Sequence, residues 1–379
     1  MSRNLLLIGL INNDNKQLGD TKHFNRLVRY FKDKVINDVY TISISERKNK
    51  EGRDYFIRYP KNRYARALYW NIWLTILSLH IILNHHISLV YIRFNSTAIL
   101  LPFCLKLFGI SYGFEINGVN NVSKGVLFKI HKYIISGAKF IVAAPGYAKH
   151  VKNKYNPQNA RICSASLGYN FGKRKNYNLD KVSKDLKLDL SKFYYIFIGN
   201  IRKYQGLSFI LEAIGKYKAR LPNKVHFLII GDGPFEKELK KIVDRFNISD
   251  VVDFVPRQTK DDLDKYLSLK QAVGLSPFSP NRGSIGSISG LKTFDYISHE
   301  MPILTSRMDE KADMIKNDGI GWVIESFRNK DVMNLILKAY KEFDGAKKAY
   351  SNLLTKYQSQ FTWENRFGKI EKQIQQELK

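Results

Sequence analysis

Residues 194–246 read YYIFIGNIRKYQGLSFILEAIGKYKARLPNKVHFLIIGDGPFEKELKKIVDRF. The stretch runs through one plan twice. A short apolar run (194–198, then 225–230) meets a glycine turn (Gly199–Asn200, then Gly231–Asp232–Gly233–Pro234), and a segment with helical spacing follows (207–216, then 235–246). Continuous apolar runs rich in Ile, Phe, Tyr and Val suit strands buried on both faces. Pro234 fits the first turn of a helix, where its missing N–H costs nothing. The plan continues with strands over 251–255, 272–275 and 302–305 and helices over 263–269 and 291–298.

The first half alternates in the same way. Strands are expected at 5–10, 39–44, 89–93, 112–115 and 140–143, with helices at 23–32, 67–83, 100–107 and 126–136. Such alternation predicts parallel sheets covered by helices on both faces. Residues 172–192, rich in Lys, Asn and Asp with little periodicity, read as the linker. The domains are then 1–172 and 173–360, with 361–379 as a terminal segment. A chain of 379 residues is long enough for two such domains.

The formal net charge is +28, with 44% hydrophobic and 25% charged residues. That composition is globular, and its basic excess points to anionic partners: a nucleotide, a membrane surface or nucleic acid. No zinc, RNA-recognition or helix-turn-helix signature supports nucleic acid, and none is expected as a specific partner. Cys104 and Cys163 form neither a metal motif nor a disulfide framework and are expected to be buried thiols in a cytoplasmic protein. The N-terminal apolar run is too short for a signal peptide. Residues 67–83 (ALYWNIWLTILSLHIIL) reach only the lower limit of a membrane span and are interrupted by Asn71, Thr75, Ser78 and His80. They read as a buried or interface-facing amphipathic helix. His85 and His86 read as loop residues and a poor metal pair.

In open α/β sheets ligands bind beyond the carboxyl ends of the strands. Three such loops carry suitable residues. Gly199 and Asn200 are followed by Arg202 and Lys203, cations able to neutralise a diphosphate. The glycines of 231–234 form a tight turn in which Asp232 reads as structural. The segment SPFSPNRGSIGSISGLKTFDYISHEMPILTS (276–306) is rich in Gly and Ser before a helix near Leu291. Exposed N–H groups and the positive end of a helix make an anion site. Lys292 in the first turn opposes the helix dipole unless an anion is bound, and Asp295 lies three residues on, on the same face, able to accept from ribose hydroxyls.

The order GN…QGLSFILEAI, LIIGDGPFEKELKK, VVDFVPR, LSPF, SGLKTFDYISHEMPILTS, NDGIGWVIE and FTWENRF resembles retaining glycosyltransferases of the GT-B fold, family GT4. In the first half LGDTKHFNRLVRYF, YGFEINGV, AAPGYAKHVKNKY and SLGYN are compatible with it. The resemblance implies two Rossmann-like domains facing a central cleft, a C-terminal domain binding a UDP- or GDP-sugar, and an N-terminal domain binding a glycan or lipid-linked acceptor. It also implies a reaction that retains anomeric configuration and needs no metal ion or other cofactor, serving bacterial cell-surface polysaccharide synthesis. By position the family's glycine loop falls on Gly19 and Asp20, its base-contacting segment on Pro256 and Arg257, its helix-opening donor contacts on Gly290, Leu291 and Lys292, and its ribose acid on Asp295. Trp363 falls where the terminal helix returns to the first domain.

Some positions depart from the family. The Arg that commonly follows the strand glycine is Asn200, and the Lys before the second glycine is Gln205. The paired glutamates become Ser287 and Asp295, as in a subset with a Ser-Pro-Leu-Lys type sequence that SGLK resembles. The histidine of the catalytic segment is Asn117, able to donate a hydrogen bond but not a proton. Asn117, Lys292 and Arg202 are thus the catalytic candidates, Glu115 reads as equally suited to a structural role, and His23 is a candidate substrate contact. A nucleotide-sugar epimerase of similar fold and an inactive glycosyltransferase-like subunit are the competing readings. The apolar helix and the basic surface suggest peripheral contact with the inner face of an anionic membrane.

Overall fold

The computed structural model describes residues 4–14, 19–34, 38–46, 49–58, 60–117, 124–172, 175–280 and 290–378. They form two compact units, Met1–Ser166 with Glu364–Lys379, and Leu167–Trp363.

The first unit contains β1 (Asn4–Asn12), α1 (Gly19–Lys34), β2 (Val39–Ile44), β3 (Lys50–Glu51), β4 (Asp54–Ile57), α2 (Arg63–His85), β5 (Ile87–Arg93), α3 (Leu100–Leu107), β6 (Tyr112–Ile116), α4 (Gly125–Gly137), β7 (Phe140–Ala143), α5 (Pro145–Tyr155) and β8 (Arg161–Ser164). Its sheet has the order β3-β4-β2-β1-β5-β6-β7-β8. Only the β3–β4 pair is antiparallel. Asn71, which interrupts the apolar run of α2, has a structural task. Its Oδ1 accepts from the backbone N–H of Ile99 (2.9 Å) and Leu100 (2.8 Å), so that it caps α3 from a neighbouring helix.

The second unit contains α6 (Leu179–Leu186), β9 (Phe193–Ile198), α7 (Leu207–Tyr217), β10 (Val225–Ile230), α8 (Glu236–Phe246), β11 (Val252–Val255), α9 (Lys260–Leu267), β12 (Ala272–Ser276), α10 (Leu291–Ser298), β13 (Ile303–Ser306), α11 (Ala312–Asn317), β14 (Gly321–Ile324), α12 (Asn329–Lys341), α13 (Phe343–Ala349) and α14 (Leu354–Gln360). Its sheet, β11-β10-β9-β12-β13-β14, is wholly parallel. Alternate residues of β9 serve opposite cores: Phe193, Tyr195 and Phe197 pack under α7 and α12, while Tyr194, Ile196 and Ile198 pack with Phe294 and Ile297 of α10. A strand used on both faces must be apolar throughout, which is why 194–198 reads as an unbroken run.

Several expectations are corrected. The stretch expected to be a linker holds α6, whose single fully buried residue is Val182, so its periodicity is faint. The boundaries fall after Ser166 and Trp363 instead of 172 and 360; the terminal segment from Glu364, part of α15 (Trp363–Glu377), belongs to the first unit, as the returning helix required. Of the two histidines read as loop residues, His85 instead closes α2, and His86 is the one-residue turn that caps it, with φ +47. Cys104 and Cys163 are free and only partly buried.

Candidate functional site

The loop after β9 is held against the end of β12. Gly206 (φ +73) is required there, because a Cβ would lie 1.8 Å from the carbonyl oxygen of Pro277. Ser279 N–H donates to Tyr204 O at 2.9 Å across the same junction. Gly231 makes the equivalent close approach on the adjacent strand, where a Cβ would come within 2.0 Å of Gly199 O. Asp232 is structural, as expected: Ile201 N–H donates to its carbonyl at 2.7 Å. Asn200, Arg202 and Lys203 are exposed in this loop, and among the described residues neither cation has a carboxylate within ion-pair distance.

Beside the loop stands Lys292. Gly290 precedes α10 as its cap and has no side chain with which to accept from the first N–H groups of the helix. Leu291 is exposed, whereas Lys292 folds inward and is buried. Its Nζ donates to Gln205 Oε1 at 2.5 Å and lies 3.7 Å from the centre of the Phe197 ring. No carboxylate among the described residues lies within 4.0 Å of it. Burial pushes the amino group well below the usual lysine range, against the more distant pull of Asp309 and Asp295. Lys292 and Asp295 form no ion pair: Asp295 Oδ1 accepts from Tyr169 Oη at 2.5 Å. Burial raises the Asp295 carboxyl to about 6 although the Tyr169 hydrogen bond works the other way.

A set of residues not foreseen in the sequence sets the position of α10. The buried carboxylate of Asp309 accepts from Thr293 Oγ1 (2.7 Å), Thr305 Oγ1 (3.4 Å) and Ser276 Oγ (3.5 Å), joining the helix to the ends of β13 and β12. Lys311, also buried, pairs with Asp309 at 3.6 Å and donates to Gly290 O at 3.4 Å. Tyr296 completes the anchoring by donating toward Ile196 O and Leu275 O, both at 3.0 Å. The only sequence signal for the Asp309–Lys311 pair is its place just after a buried strand.

Pro256 and Arg257 are exposed immediately after β11, and Arg257 forks onto Asp232 at 2.6 and 2.9 Å. The second unit thus gathers Gly199, Asn200, Arg202, Lys203, Gln205, the start of α10, Lys292 and Asp295 at the carboxyl ends of β9 and β12. Ser284, Gly286, Ser287 and Ser289 lie outside the described residues.

The first unit holds a separate buried polar cluster at the end of β6. Glu115 pairs with Arg366 of α15 at 2.6 Å and with His23 of α1 at 3.4 Å. Burial disfavours its charge, but the charges of His23, Arg366 and Arg93 outweigh that and hold the carboxyl at about 2. Arg366 also donates to the carbonyls of Ala165 and Ser166 and, at 3.4 Å, to Asn117 Oδ1. The amide nitrogen of Asn117 is buried with no partner among the described residues. His23, the candidate substrate contact, is buried here, with its ring stacked on Phe367 at 6.0 Å between centroids. Gly19 and Asp20 open α1, and their side chains are outside the described set. Among the described residues no cluster of three or more His, Cys, Asp and Glu side chains could hold a metal ion.

Residues 179–353 match the family model described as Glycosyl transferases group 1. No curated protein matches the chain in sequence. Solved structures match over the whole length. A glycosyltransferase from Rickettsia africae is 13% identical with a TM-score of 0.74, covering 100% of this chain and 99% of that one. Anabaena HepE in complex with UDP is 10% identical with a TM-score of 0.73, covering 99% and 100%. WaaG, a glycosyltransferase involved in lipopolysaccharide biosynthesis, is 13% identical with a TM-score of 0.67, covering 98% and 99%. The fold is GT-B, and the match to the group 1 glycosyltransferase model falls within its second unit.

Proposed function

We propose that this nucleotide-sugar-dependent glycosyltransferase moves a sugar from a UDP- or GDP-linked donor to a glycan or lipid-linked acceptor, retaining anomeric configuration and using no metal ion. In this reading it belongs to the GT4 branch with a Ser-Pro-Leu-Lys type donor motif and acts in the cytoplasm on a cell-surface polysaccharide. The observation that carries the donor site is Lys292, a buried amino group at a helix N-terminus with a neutral amide as its hydrogen-bond acceptor and no carboxylate among the described residues in ion-pair range. A buried, uncompensated cation is costly, and a diphosphate would relieve that cost.

The rest of the site is assigned around that group. The diphosphate sits on the N–H groups opening α10, with Lys292 beside it and Arg202 and Lys203 supplying charge from the neighbouring loop. Gly199 and Gly290 give the backbone close access. As the glycosidic bond to the donor breaks, negative charge grows on the leaving phosphate oxygen, and these fixed donors stabilise it more than they stabilise the bound donor. Asp295 accepts from ribose hydroxyls, and Pro256 and Arg257 flank the base. In the first unit the buried amide N–H of Asn117 is assigned as a hydrogen-bond donor to a sugar hydroxyl. The Gly19–Asp20 turn is assigned to substrate contact by its place at the start of α1. The HepE structure contains UDP, which favours a uridine donor over a guanosine one.

The test is transfer itself. Purified protein incubated with a radiolabelled UDP- or GDP-sugar and an acceptor extract should give labelled glycan with the donor's anomeric configuration. Turnover of the donor to an isomeric nucleotide sugar without acceptor would favour the epimerase reading instead.

A further inference from the structure

Of the fifteen large hydrophobic side chains exposed among the described residues, thirteen lie on α2, α3, the cap of α3 and α4. On α2, Leu68, Ile72 and Trp73 are 64%, 42% and 53% exposed; on α3 Phe103 and Leu107 are also exposed, and on α4 Val126. The three helices are fastened side by side. Asn71 of α2 caps α3, Lys106 Nζ of α3 donates to Tyr133 O of α4 at 2.8 Å, and Phe103 meets the Tyr133 ring at 5.5 Å. The apolar side chains therefore form one face of the first unit. A soluble surface does not gather nearly all its exposed apolar bulk on one face without a partner for it.

The charge around this face identifies the partner. Between residues 55 and 166 the sequence has 14 lysines and arginines and one acidic residue, Glu115, which is buried. The helices α2, α3 and α4 contain no acidic residue at all, and Lys124, Lys129 and Lys132 are exposed on or beside α4. A surface that is apolar at its centre and of one sign around it attracts an anionic lipid headgroup layer and repels its own copy. The helix α2 has the length and composition to cross a bilayer. Its opposite side is nevertheless core: Trp70, Leu74, Ser78 and Ile81 are buried. It must therefore lie along the membrane and not through it.

We infer that α2, α3 and α4 form a docking surface for an anionic phospholipid bilayer, which holds the first unit against the membrane plane. Resting on the transfer reading above, this also selects the acceptor class as lipid-linked. The sequence alone pointed to one helix; the face itself needs all three.

The full-length protein should sediment with vesicles of phosphatidylcholine containing phosphatidylglycerol at low salt, bind pure phosphatidylcholine weakly, and be released from the anionic vesicles by high salt. The double substitution Trp73→Glu with Phe103→Glu should lower retention about tenfold or more, since two apolar anchors become repelled charges, while nucleotide binding stays unchanged. Retention of the double variant equal to that of the wild type would overturn the proposal. So would absence of vesicle binding, or a concentration-dependent dimer that the same substitutions disperse. Retention is read separately from nucleotide binding. A protein that binds vesicles but no nucleoside diphosphate upholds the docking surface and removes only the transfer reading.

Discussion

Lys292 Nζ donates to Gln205 Oε1 at 2.5 Å, from helix α10 to the loop after β9. Gln205 stands where the family that the sequence resembles is expected to carry a lysine. With Lys292 already turned into that space, a second ammonium there would place two like charges in contact, so a neutral acceptor is the residue that fits. Lys292→Ala should lower kcat/KM by about 10²–10³-fold, in the range expected for a fixed donor to a developing anion. Gln205→Ala should have a smaller effect of about tenfold, because it frees the lysine without removing it. Steady-state kinetics on both variants checks the order.

The same pair predicts a proton linkage. Burial lowers the Lys292 amino group in the free protein, and a bound diphosphate raises it again. Nucleotide binding should then take up protons, and affinity should fall as pH rises toward the range where the free lysine is neutral. Calorimetry in buffers of different ionisation enthalpy reads the uptake. Lys292→Met should abolish it.

Asp295 predicts a trade between stability and binding. Its carboxyl is raised to about 6 from an ordinary value of 3.8, so the folded protein holds a proton there that the unfolded chain releases. Its contribution is therefore favourable at low pH and is lost as pH rises through about 6. Asp295→Asn, which removes the buried charge, should raise Tm at neutral pH and weaken ribonucleotide binding. A loss of discrimination between ribo- and deoxyribonucleotides would accompany it. If Tm rises while ribonucleotide affinity stays the same, the ribose assignment is wrong.

Glu115 and Arg366 predict the opposite pH behaviour in the first unit. Glu115 is held at about 2, below its ordinary 4.5, so its stabilising effect is complete above about pH 4.5 and is lost as pH falls toward 2. Arg366→Met removes the shortest partner of a buried carboxylate, leaving it the longer His23 contact, and should cost about 3–5 kcal/mol. Pairing it with Glu115→Leu should recover most of that, because no buried charge is then left alone. Chemical denaturation of the two single variants and the double variant measures the coupling.

How much of this was legible in the sequence depended on burial. Strands such as β9 and β10, apolar on both faces, announced themselves as unbroken runs, and the glycine turns after them marked the ligand-facing end of the sheet. The edge pair β3 and β4 did not, because Lys50–Glu51 is polar and exposed. The helix α6 was hidden by its single fully buried residue. Candidate residues contributed by one loop, such as Gly199 and Lys292, were found because strand-end position implies the site. Arg366 and Asp309 were not, because each acts through partners far along the chain: Arg366 reaches Glu115, and Asp309 reaches Ser276 and Thr293. No periodicity encodes such pairings. Asn71 was legible only as an interruption, although it is the cap that joins two helices.

The most direct test of the donor site is calorimetric titration of UDP and GDP into the wild type and Lys292→Ala. At least one nucleotide should bind the wild type, and the substitution should weaken it by about a hundredfold, the loss of one charge-assisted contact and the buried charge it relieved. Equal affinity in the two proteins, or no binding of either nucleotide to the wild type, would contradict the assignment.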